Sequence, residues 1–95
     1  MNKEYYPIKN NKMETPDWLD KTKIKITLDA RPILAAGEHP LQRVIEESAK
    51  LSPGEIYEII TPFPPMPMID KLTATGFESF SETDPKGMFH TYFRR

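Results

Sequence analysis

Between Lys23 and Asp29 apolar and polar residues alternate, with Ile24, Ile26 and Leu28 on one side of the pattern and Lys25, Thr27 and Asp29 on the other. A period of two carried by β-branched residues predicts a strand with one buried face. Arg31 to Glu38 contains Pro32 and Gly37 and reads as a loop. From Leu41 to Leu51 the period lengthens: Leu41, Val44, Ile45, Ser48 and Ala49 fall on one face of a helix, leaving Gln42, Arg43, Glu46, Glu47 and Lys50 for solvent. Pro40 suits the first helical position, where its missing N–H costs nothing. Ser52-Pro53-Gly54 supplies the stop.

A second strand is expected from Glu55 to Thr61, and its apolar residues on both faces suit the interior of a sheet. The run Thr61 to Pro67 carries Pro62, Pro64, Pro65 and Pro67, which excludes regular structure across most of it. A second helix follows from about Met66 to Thr75, with Met68, Ile69 and Leu72 inward and Gly76 as its end. Phe77 to Thr83 and Met88 to Arg94 read as strands, joined through the turn Asp84-Pro85-Lys86-Gly87. The order is β-α-β-α-β-β. A right-handed crossover between parallel strands places both helices on one face, so the expected fold is a two-layer α/β sandwich of the α+β class. Residues 1–22 sustain no hydrophobic period, yet contain Tyr5, Tyr6, Ile8, Trp18 and Leu19. The expected organisation is a leader over 1–22, packed on the domain through Trp18 or unstructured, and one domain over 23–95.

Composition narrows the chemistry. A net charge of −1 gives no electrostatic basis for binding nucleic acid or an anionic membrane. No stretch approaches the roughly 18 consecutive apolar residues of a membrane span, and Met1–Tyr6 lacks a signal peptide's apolar run. A cytoplasmic location is the expectation. The chain has no cysteine, which excludes disulfides, thiolate metal sites, persulfide carriage and cysteine nucleophiles together. It also has no phosphate-binding glycine loop and no nucleophile elbow.

The candidate chemistry centres on His39, at the start of the first long helix. A neutral imidazole there could ligate a metal or haem iron, or act as a base; the plainer reading is a residue that caps the helix or fills the loop. Asp29, Arg31 and Glu38 form a charged rim nearby. Arg31 could hold an anion beside the helix N–H groups, or simply pair with Asp29 and stiffen the loop. His90 shares a strand face with Met88 and Tyr92, away from Phe89 and Phe93. Should His39 and His90 converge, with Glu38 or Asp29 completing the set, zinc or iron would be acceptable; otherwise His90 is a partly covered surface residue. Met66, Met68 and Met88 offer thioethers, but their spacing fits packing better. Phe63, Met66 and Met68 beside the proline-rich loop make a candidate interaction surface, or else close the end of the core.

The succession Leu28-Asp29-Ala30-Arg31, His39-Pro40, helix, Ser52-Pro53-Gly54-Glu55 and strand resembles the TusA/SirA sulfur-carrier family, whose core runs strand, LDA-x-G, Cys-Pro, helix, PGE, strand. The resemblance covers about Ile24 to Arg95. The chain looks closer still to prokaryotic variants of unknown function that carry His-Pro in place of Cys-Pro. In that group a tryptophan-bearing leader, here Asp17-Trp18-Leu19-Asp20, and a proline-rich loop, here Thr61 to Lys71, are familiar. The resemblance implies a mixed four-stranded sheet completed by the final hairpin. It also implies a functional end of the fold at His39 and Pro40, and a setting in redox or metal biology near haemerythrin-like or other redox proteins. Three functions are then open: a non-catalytic binding or adaptor domain with a protein partner, a metal- or haem-binding protein using His39, and an accessory docking component of a sulfur relay. No cofactor is required by any residue pattern, and the oligomeric state is open.

Overall fold

The alternation after Lys23 forms strand β1 (Ile24–Asp29), preceded by a 3-10 turn over Lys21–Lys23 that Asp20 caps by accepting from the Thr22 N–H. The computed structural model describes residues 15–95, so the expectations for Tyr5, Tyr6 and Ile8 fall outside the described residues. After β1 come α1 (Arg31–Ala35), α2 (Leu41–Ser48), β2 (Ile56–Thr61), α3 (Met66–Ala74), β3 (Glu78–Thr83) and β4 (Phe89–Arg94). The strands form one mixed sheet in the order β1-β2-β4-β3: β1 runs parallel to β2, and β4 lies antiparallel between β2 and β3. The fold is the expected two-layer α/β sandwich.

The core lies between the sheet and the helices. Leu28, Tyr57, Ile59 and Phe93 point from the sheet toward Val44 of α2, Met68 and Leu72 of α3, and the flanking Ala30, Leu51 and Phe77. Strand β2 is buried on both faces, with Ile56, Tyr57 and Ile59 fully covered, as its two-sided apolar pattern requires. Its neighbours in register are Ile26 and Leu28 on one side and Phe93 and Thr91 on the other.

Three local expectations are corrected. Arg31 to Glu38 is not all loop, because its first five residues form α1. Proline in the first helical turn breaks no hydrogen bond, so Pro32 starts this helix rather than forbidding it. Gly37, at φ 80°, then closes it: the Gly37 N–H donates to the Leu34 carbonyl and the Glu38 N–H to that of Ile33, the paired bonds of a helix ending on a left-handed glycine. Ile33 and Leu34 of α1 pack against the core. Second, α2 stops at Ser48. The Lys50 and Leu51 N–H groups donate to the Glu47 and Ser48 carbonyls, a tightened turn that delivers Leu51 into the core. Third, the β1–β2 register shifts between Ile24 and Ile26. Ile24 thereby faces away from Ile26 and Leu28 and joins Glu58, His90 and Tyr92 on the sheet face opposite the helices.

That opposite face is polar and closely tied. Thr27 donates to Glu58, Tyr92 and Lys21 both donate to Glu82, and Arg94 donates to Glu78. The Arg94 guanidinium lies 5.4 Å from the ring centre of the half-buried Trp18. Among the described residues of the leader, Trp18 therefore meets the sheet. No helix among the described residues is long and apolar enough to cross a membrane.

Candidate functional site

Three elements meet at the His39 end of the sandwich. Ala30 extends the pairing of β1 by donating its N–H to the Ile60 carbonyl, and α1 departs from that point. Its Leu34 lies across from Leu41, the first residue of α2. Between them His39 and Pro40 lead into α2: Pro40 is buried, whereas His39 is exposed. The third wall is the turn after β2. Thr61, itself buried, donates its hydroxyl to the Phe63 carbonyl and turns the chain out of the sheet. Pro65 then caps α3, and Pro67 occupies its first turn, where proline is tolerated.

Together these elements enclose a groove of about 380 Å³. Leu34, Leu41, Pro65, Pro67, Met68 and Phe63 make its surface, and His39 and Thr61 are its polar groups. Among the described residues the exposed large hydrophobic side chains are Phe63, at 48%, and Met66, at 53%. Phe63 lies in the turn that lines the groove, and Met66 begins α3 just outside the lining. An apolar concavity with a few polar groups is the usual form of a binding site, and proline in its rim keeps that shape with little conformational freedom left to lose.

The sequence-derived residues divide between this groove and the rest of the molecule. His39, Pro40, Phe63 and Met68 line it; Met66 stands exposed at the start of α3. No side-chain hydrogen bond caps α2, so His39 is not the cap of that helix. Asp29 and Arg31 pair with each other: Nε donates to Oδ1 at 2.8 Å and Nη2 to Oδ2 at 2.6 Å, while the Arg31 N–H reaches Oδ1 at 3.1 Å. The Arg31 guanidinium holds Asp29 down at about 2 against the opposing effect of desolvation. With Nε and Nη2 committed to Asp29, Arg31 stiffens the β1–α1 joint. Glu38 is exposed just outside α1 and lines no part of the groove.

His90 lies elsewhere. It faces the polar side of the sheet, and both ring nitrogens are engaged: Nδ1 with Glu58 Oε2 at 2.7 Å, Nε2 with Asp84 Oδ2 at 2.9 Å. His39 and His90 line separate cavities. A metal ion would reach neither nitrogen of His90 without displacing a carboxylate. Among the described residues no three histidine, aspartate or glutamate side chains are grouped to hold a metal ion.

Leu34 and Leu41 are groove residues that sequence reasoning assigned to no site, whereas Thr61, Pro65 and Pro67 belong to the proline-rich loop expected beside it. For Leu34 a signal existed: Ile33-Leu34 stands between a helix-starting Pro32 and a helix-stopping Gly37. No family model matches the chain, and no curated protein and no solved structure matches it either.

Proposed function

We propose that this chain is a small non-catalytic binding or adaptor domain whose docking surface is the groove beside His39. The observation that carries the reading is the placement of Phe63 and Met66. The large hydrophobic side chains left exposed among the described residues are three positions apart at this end of the fold, Phe63 in the lining of an apolar concavity and Met66 at the start of α3 beside its lining residues Pro65 and Pro67. Exposed apolar surface of this kind marks an interaction site. The occupant that fits is an apolar segment of another protein, because the lining holds no aspartate, glutamate, lysine or arginine through which to select a charged ligand. Its polar selectivity comes from His39 and Thr61. The resemblance to cysteine-less TusA-like domains supports a cytoplasmic setting in redox or metal metabolism, with a redox or haemerythrin-like protein as partner.

Site-specific photo-cross-linking tests this. A cross-linker at position 63 is expected to capture one protein through an apolar segment, while the same group at Lys50, exposed just past the end of α2 away from His39, captures none. Burying the exposed halves of Phe63 and Met66 contributes about 2 kcal/mol, so Phe63→Ser combined with Met66→Ser should weaken the complex by at least about tenfold. Equal capture at both positions, or a polar captured segment, contradicts the reading. Capture of a cysteine-bearing sulfur carrier would place the adaptor in a sulfur relay.

A second reading is supported by the same imidazole. An exposed histidine beside an apolar wall is the arrangement that axial haem ligation uses. Titration with haem would then produce a saturable change in the haem absorption spectrum that is lost in His39→Ala and kept in His90→Gln.

A further inference from the structure

The polar sheet face holds an arrangement independent of the groove. His90 sits between two carboxylates on opposite edges of its ring, Glu58 on Nδ1 at 2.7 Å and Asp84 on Nε2 at 2.9 Å. A neutral imidazole has a single N–H, so one of these contacts would set a ring lone pair against a carboxylate oxygen. Only the imidazolium donates to both. We propose that Glu58, His90 and Asp84 form a proton-operated latch: protonated His90 fastens the β3–β4 turn to the middle of the sheet, and neutral His90 releases it.

The connections around the ring give the latch its reach. Asp84 uses its other oxygen, Oδ1, to accept the N–H groups of Lys86 at 2.9 Å and Met88 at 3.0 Å, which shapes the turn itself. Glu58 accepts from Thr27 of β1 through its other oxygen. One chain of bonds thus runs from β1 through β2 and β4 to the hairpin turn. The remaining charged groups facing it act in both directions: Glu82 favours the cation, whereas Lys21 and Arg31, being cations themselves, oppose it. Glu82, directly opposite His90 in the β3–β4 register, adds negative charge, although Lys21 and Tyr92 donate to it. Arg31 acts on Asp84 from the β1–α1 joint. The cavity of about 440 Å³ over His90, Glu82 and Asp84 leaves room for a released carboxylate to swing away.

The test follows the His90 ring and the backbone amides of Lys86 and Met88 by NMR from about pH 5 to about pH 9. The expected result is a His90 midpoint above the ordinary 6.5, with both amide signals moving at that same midpoint. Asp84→Asn should lower the midpoint by about one pH unit. Should that variant lose its turn, Glu58→Gln, which leaves the Asp84 turn bonds in place, should also lower it. A His90 midpoint at or below 6.5, or turn amides that ignore the His90 titration, would overturn the proposal.

Discussion

Tyr57 donates its phenolic hydrogen to Glu47 Oε1 at 2.6 Å, joining the interior strand β2, in which Tyr57 is itself fully buried, to helix α2. The bond satisfies a hydroxyl that the core would otherwise strand. Burial first, and the carboxylate second, push the phenol well above its usual value, while the bond holds Glu47 below its own. A hydrogen bond to a charged group contributes about 1.5–3 kcal/mol. Tyr57→Phe leaves Glu47 with Arg43 and water, so the expected loss sits at the low end, about 1.5 kcal/mol, or a drop in Tm of roughly 6–12 °C for a domain of this size. Because the folded Glu47 titrates low, its contribution is complete above the unfolded value and disappears as pH falls through the folded one. Thermal melts of wild type and Tyr57→Phe should therefore converge on acidification.

The Asp29–Arg31 pair behaves differently because both side chains are partly exposed, 39% and 48%. Solvent screening limits its worth to within about 1 kcal/mol. Arg31→Ala should lower the Tm by no more than about 4–8 °C at neutral pH, but it should return the Asp29 carboxyl from about 2 toward the ordinary 3.8. Carboxyl NMR measures this directly. The sign is that of a depressed acid: stability from the pair is present above about 3.8 and is lost as pH falls toward about 2.

Helices α1 and α3 both end on a glycine with positive φ, Gly37 at 80° and Gly76 at 103°. Nothing lies within 4 Å of a Cβ added at either position, so the cost of alanine is purely that of the backbone. Gly37→Ala and Gly76→Ala are each expected to lose about 1 kcal/mol in denaturant melts, and asparagine should recover part of it.

Leu72 and Phe77 pack together across the end of α3, where the Phe77 N–H donates to the Leu72 carbonyl. Leu72 is 2% exposed. Leu72→Ala removes buried methyl groups and leaves a cavity, for an expected loss of about 3 kcal/mol by urea unfolding.

The fold was legible because each element carries its own period and its own punctuation: alternation in β1, helical spacing in α2, two-sided burial in β2, Asp84-Pro85-Lys86-Gly87 between the last strands. What escaped was local. Pro32 permits a helix start as readily as it breaks a helix, and only tertiary packing of Ile33 and Leu34 decides between these. The register shift at Ile24 leaves no mark in an alternation that looks regular. The candidate site was half legible. His39, Phe63 and Met68 could be brought to one end by topology, and the local pairing of Arg31 with Asp29 was among the sequence readings, whereas the capture of His90 by Glu58 and Asp84 depends on side-chain reach across strands and into a turn, to which sequence spacing is blind.

The chain contains two histidines, one lining the groove and one on the opposite face of the sheet, and their ring signals make the most direct test. Untagged protein would be titrated with a synthetic peptide of the segment cross-linked at position 63, with each signal assigned by His39→Ala and His90→Gln. The account predicts that the His39 ring shifts with one-to-one stoichiometry, that His90 stays in place, and that Phe63→Ser with Met66→Ser abolishes the shift. A His39 ring that stays still while the peptide binds, or a response at His90 instead, would contradict it.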